Sequence, residues 1–285
     1  MQIMEFIDLE LVETHQLTET LGRFCFKTSQ PFAYQSGQYA TLKIERPGLI
    51  GPGIKEKDGI GSVLRAYSIA SAPHEDLLEL YIAWVKSGGR REDGKGVLTT
   101  ELFNRTSDMK FSVASKAKGH FIPAEDERTV VMVATGTGLA PFISLCRHFQ
   151  EKGIRRRVVL IHGASYLSDL TYTDELQSYI DAGFLEIYYA VSRETHPSTR
   201  AQYCGDYFIE RGDRSGRISE SETAQAIQEN RYHQTKMRDI LGEALSPEHH
   251  ILMLCGNPAM IRNIQLVGEA YGFENKRDIV VEQYW

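Results

Sequence analysis

Thr129-Val130-Val131-Met132-Val133-Ala134-Thr135-Gly136-Thr137-Gly138-Leu139-Ala140-Pro141 is the stretch that decides the fold. Thr129–Ala134 is a continuous apolar run, the pattern of a strand buried on both faces of a parallel sheet. From Leu139 to Gln150 the apolar residues recur at helical spacing. The glycines between them permit a tight turn, and a helix starting there offers amides to a negative charge such as a diphosphate. The alternation continues in Arg157–Ile161, Leu170–Ile180, Leu185–Val191, His250–Leu254 and Pro258–Tyr271. Such repetition predicts a doubly wound parallel sheet with helices on both faces, and a nucleotide at the carboxyl ends of its strands.

Upstream the texture is different. Short runs of strand character, Phe6–Val12, Leu21–Phe26, Tyr39–Ile44, Val63–Ala70, Leu77–Val85 and Met109–Val113, are punctuated by Pro31, Gly37, Pro47, Pro73 and the pair Gly88-Gly89. Strands without long helices between them predict a small antiparallel β-barrel. Pro47–Gly61, rich in Gly, Pro and Lys, reads as a long solvent loop. Ile122–Arg128 is a polar, Pro-containing linker. The expected organisation is therefore β plus α/β: a barrel domain over 1–122 and a doubly wound domain over 123–285.

A chain of 285 residues suits two packed domains, and 42% hydrophobic with 25% charged residues is the composition of a globular protein. A net charge of -6 argues against nucleic-acid binding, which needs a basic surface. Cys25, Cys146, Cys204 and Cys255 are scattered, with no metal-ligand or iron–sulfur spacing, so no metal is expected and the compartment reads as reducing. Met1–Glu10 has no signal-like apolar core and no run approaches a membrane span, so the expected location is the cytoplasm, away from membranes.

Four further stretches carry candidate chemistry. Arg65-Ala66-Tyr67-Ser68-Ile69-Ala70-Ser71 is an alternating strand with a cation, a ring and hydroxyls. A guanidinium can grip a pyrophosphate through two parallel hydrogen bonds, a Tyr ring offers a flat surface to a flavin, and a Ser can donate to ring heteroatoms. Taken alone the run also reads as an edge strand with a surface Arg. Gly96-Val97-Leu98-Thr99-Thr100-Glu101-Leu102 starts a helix whose amides and Thr99 hydroxyl could meet a phosphate, or is an ordinary capped helix. Leu254-Cys255-Gly256-Asn257-Pro258 ends a strand, where a buried thiol is either packing or orientation. The terminal Glu282-Gln283-Tyr284-Trp285 places two rings where exposure would be wasteful unless they cover something apolar.

Together and in this order these motifs resemble the ferredoxin–NADP(H) reductase family, in its bacterial class, over nearly the whole chain. The resemblance implies FAD on the barrel, held by Arg65, Tyr67 and Ser68, by Gly96 and Thr99, by Lys116 in Ser115–Phe121, and covered by Tyr284 and Trp285. It implies NADP(H) on the second domain, held by Thr135, Gly136, Thr137, Gly138 and Pro141, with Cys255 and Gly256 beside the nicotinamide. Arg193 and Arg217 match positions that clamp the 2′-phosphate. Many relatives carry an Arg where Ser165 stands, and Arg200, Arg211 and Arg214 could compensate. The segment His196–Arg214 is longer than in close relatives, with Tyr203, Tyr207 and Phe208 suited either to shaping the adenosine pocket or to a partner surface. Ser68, Cys255, Glu282 and Tyr284 are the implied catalytic positions, Glu282 aiding proton movement and Tyr284 gating the flavin.

The activity implied is hydride exchange between NADP(H) and FAD and single-electron exchange with ferredoxin or flavodoxin, by a monomer. Arg90, Arg91 and Lys95, or the run Arg155-Arg156-Arg157, could attract such an acidic carrier. Two other readings stay open: an NAD(P)H-dependent flavin reductase or oxygenase reductase component, and a flavin-binding redox sensor without turnover.

Overall fold

The computed structural model describes residues 5–51, 53–85, 96–105, 107–195, 199, 201–209, 216–231 and 236–283. The chain divides into two compact units, Met1–His120 with Ile143–His148, and Phe121–Phe142 with Phe149–Trp285.

The first unit contains β1 (Phe6–Gln16), β2 (Leu21–Thr28), β3 (Tyr39–Pro47), β4 (Lys55–Lys57), β5 (Ile60–Ser68), β6 (Leu78–Ala83), α1 (Val97–Asn104) and β7 (Lys110–Ala114). The strands form one antiparallel sheet in the order β4-β5-β3-β7-β1-β2-β6. It curls into a barrel: just past β5, Ile69 bridges Leu80 of β6, and the Ala70 amide donates to Glu79 O at 2.9 Å. Period-two alternation drives the closure, for in β3 Ala40, Leu42 and Ile44 are fully buried while Thr41 and Lys43 between them are not. Leu98 and Leu102 of α1 join the same core as Phe24, Phe26 and Ile82.

Pro47–Gly61 is not the loop expected from its composition. It contains β4, which forms a hairpin with β5 through Asp58 and Gly59 at φ 54° and 76°, the left-handed pair that two-residue hairpins favour. Leu49 is buried beneath it, and a Cβ on Gly61 would strike the Leu49 carbonyl. A three-residue strand of exposed Lys55-Glu56-Lys57 leaves no apolar alternation to read.

The second unit contains β8 (Thr129–Thr135), both ends of α2 (Ala140–Lys152), whose residues 143–148 fall in the first unit, β9 (Val158–Ala164), α3 (Thr173–Asp181), β10 (Leu185–Val191), α4 (Glu220–Gln228), α5 (Lys236–Leu241), β11 (His250–Gly256), α6 (Pro258–Ala270) and β12 (Ile279–Gln283). Its five strands run parallel in the order β10-β9-β8-β11-β12. The chain steps outward from β8 to β10 and then crosses to β11 on the other side, so the topological switch point lies between β8 and β11. Val131, Val133, Val159, Ile161, Leu252 and Leu254 pack with Ala226, Ile240, Ile261 and Ile264 of α4, α5 and α6. Residues of the other parity, including Met132, Leu160 and Met253, are equally buried, which is why these strands read as unbroken apolar runs. Among the described residues no helix is long and apolar enough to cross a membrane. All four cysteines are buried and free of disulfides.

Candidate functional site

In the barrel, the residues that stand out lie on β5. Arg65 and Tyr67 share one face by strand periodicity, opposite Leu42 and Ala40 of β3, while Ser68 lies on the other face and is buried. Just past them the chain joins β6 through the Ile69–Leu80 bridge and the Ala70–Glu79 hydrogen bond, so Arg65 and Tyr67 stand near the end of β5. A cation and a ring on one strand face suit a flat, charged ligand laid along it. Arg65 Nη1 donates to Leu64 O at 2.7 Å, and burial pushes the Tyr67 phenol above its usual range.

α1 starts at Gly96, in the left-handed region at φ 97°, with no side chain capping it. The Thr99 hydroxyl accepts from Val85 N at 3.1 Å and faces Gly96 O at 3.2 Å. It therefore ties α1 to the segment after β6, leaving helix amides rather than this hydroxyl for a phosphate. Lys116 is exposed.

In the second unit the candidate residues converge at the switch point. Gly136–Leu139 winds as a 3-10 turn that runs into α2 with Pro141 in its first turn, one residue later than the periodicity predicts. No side chain caps this turn or α2, whereas α4 is capped by Ser219 and α6 by Asn257. The amides that open the turn are thus left to an external acceptor, as in an anion site.

The neighbouring loop locks against it. Asn257 N donates to Thr135 Oγ1 at 2.7 Å. A Cβ on Gly138 would meet Cys255 C at 2.7 Å and Gly256 Cα at 2.9 Å, and Gly256, at φ 127°, would place a Cβ 2.8 Å from Thr135 O. These glycines exist because two loop backbones touch. The resulting cradle, narrow and lined by amides, fits a dinucleotide diphosphate. Cys255 is fully buried and stands beside Glu282 in the β11–β12 register, its thiol donating to Oε2 at 3.9 Å. β12 ends at Gln283; Tyr284 and Trp285 lie outside the described residues, as do Arg90, Arg91, Lys95, Arg200, Arg211 and Arg214.

A small cleft opens beside the cradle, lined by Thr135, Tyr203, Asp206, Arg217, Asn257 and Asn263 among others. Arg217 Nη1 donates to Asn257 Oδ1 at 3.2 Å. Arg193 lies at the end of β10, its amide donating to Ser165 O at 3.0 Å and its guanidinium to the Tyr166 hydroxyl at 3.2 Å. Arg217 lines the cleft and Arg193 is absent from its lining. Tyr166, Asn257 and Asp206 were not legible as site residues; Asn257 carried a signal, since Asn before Pro commonly caps a helix.

The His196–Arg214 segment is placed in part. Tyr207 and Phe208 are buried in the sheet core, while Tyr203–Asp206 line the cleft, so its described part shapes the pocket. The Arg155-Arg156-Arg157 run, in contrast, is mostly structural. Arg156 is buried, donating to Arg128 O and bonding Asp126 at 2.7 Å, and Arg157 pairs with Glu186 at 2.8 Å. Only Arg155 of the three stays available to a carrier.

Comparison with known proteins agrees with this arrangement. Residues 132–214 match the family model described as oxidoreductase NAD-binding domain. The chain is 30% identical over 268 residues to ferredoxin–NADP reductase A of Sorangium cellulosum, covering 93% of this chain and 83% of that one. It is 30% identical over 237 residues to the flavodoxin/ferredoxin–NADP reductase of Shigella flexneri, covering 81% and 77%. A solved structure of a ferredoxin NADP+ reductase from Neisseria gonorrhoeae, with bound FAD and NADP, superposes with a TM-score of 0.70 at 20% identity, over 99% of this chain and 98% of that one. Fold, switch-point cradle and relatives lead to one conclusion: the chain belongs to the ferredoxin–NADP reductase family.

Proposed function

We propose that the protein is an FAD-dependent ferredoxin/flavodoxin–NADP(H) reductase. The observation that carries the reading is the contact of the Gly136–Gly138 turn with Cys255–Asn257 at the switch point, with Glu282 in register beside Cys255. When bound, FAD exchanges hydride with NADP(H) and passes electrons singly to a ferredoxin or flavodoxin.

The chain's own residues bind and orient. Arg65 neutralises the flavin pyrophosphate, aided by the amides at Gly96–Thr99 and by Lys116; Tyr67 packs on the ring system and Ser68 donates to its edge. Thr135–Gly138 and Pro141 seat the diphosphate of NADP(H), and Arg193 and Arg217 favour its 2′-phosphate. Gly256 lets the nicotinamide approach closely and Cys255 fixes its angle, since hydride transfer depends steeply on geometry. Glu282 holds a proton close by, and Tyr284 and Trp285 shield the flavin. Four buried thiols, none of them in a disulfide, agree with a reducing, cytoplasmic setting.

The test is electron delivery to a carrier. Purified protein with NADPH should reduce cytochrome c only when ferredoxin or flavodoxin is added. Reduction of free flavin with no gain from either carrier would point instead to a flavin reductase.

A further inference from the structure

The described part of the long connection after β10 is built as a wall. Ala201 bridges Ala190 of the edge strand β10, and Gln202 Nε2 donates to Ser192 O at 3.2 Å. The chain then crosses the carboxyl ends of the next strands. Cys204 Sγ lies 2.5 Å from where a Cβ on Gly163 of β9 would stand, and 3.8 Å from Ala134 O of β8. Asp206 closes the turn by accepting from Gln202 N at 3.1 Å and Tyr203 N at 2.9 Å. Tyr207, Phe208 and Ile209 drive into the core, and the Tyr207 hydroxyl donates to Tyr189 O at 2.9 Å. A segment anchored at so many points holds Tyr203 at a set position on the cleft.

Tyr203 stands beside a cation of the cleft: Arg217 Cζ lies 5.9 Å from its ring centroid. Arg217 is held on its other side by Asn257 Oδ1. An unsupported Arg loses much rotamer freedom when it grips an anion, and an aromatic splint removes part of that cost before the ligand arrives.

We propose that Tyr203 is a positioning residue that presents Arg217 to the phosphate monoester of an adenine dinucleotide, and so sets the preference for the phosphorylated coenzyme. This rests on the coenzyme reading above. The site differs from one built of arginines alone, because an arginine in the cleft is oriented by a ring carried on a separate segment.

Calorimetric binding of adenosine 2′,5′-bisphosphate and of 5′-AMP to the full-length protein tests this without turnover. Tyr203→Ala should weaken the bisphosphate roughly fivefold to tenfold, the scale of one cation–π contact plus restored side-chain freedom, and 5′-AMP less than about twofold. Tyr203→Phe, which keeps the ring, should bind like the unsubstituted protein. In an Arg217→Ala background Tyr203→Ala should add nothing. Equal loss of both ligands, or losses at Tyr203 and Arg217 that simply add, would overturn the proposal. If the alanine variant melts early, Tyr203→Leu keeps apolar bulk without the ring and must show the same selective loss. An unsubstituted protein that binds both ligands equally would overturn the coenzyme reading itself. A preference for the bisphosphate that survives Tyr203→Ala would remove only the role of Tyr203.

Discussion

The Cys255 thiol and the Glu282 carboxylate face each other at 3.9 Å across the carboxyl ends of two parallel strands, β11 and β12. Neither residue is near the other in sequence, and each sits where its strand is about to leave the sheet. Cys255→Ala should slow reduction of the flavin by NADPH by about tenfold or more, through lost orientation, with bound FAD unchanged. Stopped-flow absorbance of the flavin measures it; an unaltered rate would restrict Cys255 to packing.

Gly138→Ala probes the cradle. The new Cβ would press on the Cys255 peptide, with Gly256 Cα 2.9 Å away, and neither backbone can yield like a side-chain tip. We expect affinity for adenosine 2′,5′-bisphosphate to fall by about tenfold or more while FAD content is retained, on the scale of 1–3 kcal/mol for backbone displacement. Calorimetry and the flavin-to-protein absorbance ratio separate the two effects.

Arg65→Ala should do the reverse. Loss of a charge-assisted bond, worth about 1.5–3 kcal/mol, would raise the FAD dissociation constant roughly tenfold to a hundredfold. Fluorescence of released FAD after gel filtration reports it, and the far-ultraviolet dichroism of the parallel-sheet unit should be unchanged.

Acid should act on the second unit in two separable windows. His162 of β9 is fully buried with neither ring nitrogen hydrogen-bonded among the described residues, and burial lowers its pKa to about 4. Because the unfolded chain takes up this proton first, stability falls as pH drops from about 6.5 to about 4, by about 3 kcal/mol in all. Asp278 is the second group. Burial alone would raise its carboxyl, but hydrogen bonds from Arg277, the Glu274 amide and Arg128 outweigh that and hold it at about 2. Its contribution, about 2 kcal/mol, is present above the ordinary Asp range and is lost only as pH falls from about 4 to about 2. Melting temperature against pH should lose its upper slope in His162→Leu and its lower slope in Asp278→Asn.

The fold was largely legible because its signals are local. Thr129–Ala134 runs into two glycines and a helix, and no barrel strand could carry that run. β4 was missed because three exposed residues beside a hairpin turn bury nothing that a pattern could register. Sites on strand ends were likewise readable as motifs, but their partners were not. Whether the Thr99 hydroxyl meets a phosphate or Val85, and whether Arg156 faces solvent or Asp126, depends on segments far along the chain. Tyr203 is the sharpest case. Its spacing from Tyr207 and Phe208 showed an aromatic segment that must fold back, while its place beside Arg217 follows only from the route of that segment across β9 and β8.

An anaerobic titration of the purified protein with NADPH and, separately, NADH, following the visible absorbance of bound flavin, tests the FAD and NADP(H) sites together. The protein should be yellow, and NADPH should bleach it rapidly and NADH slowly. A colourless protein that binds no FAD, or one bleached equally well by NADH, would contradict its reading as an FAD-dependent NADP(H) reductase.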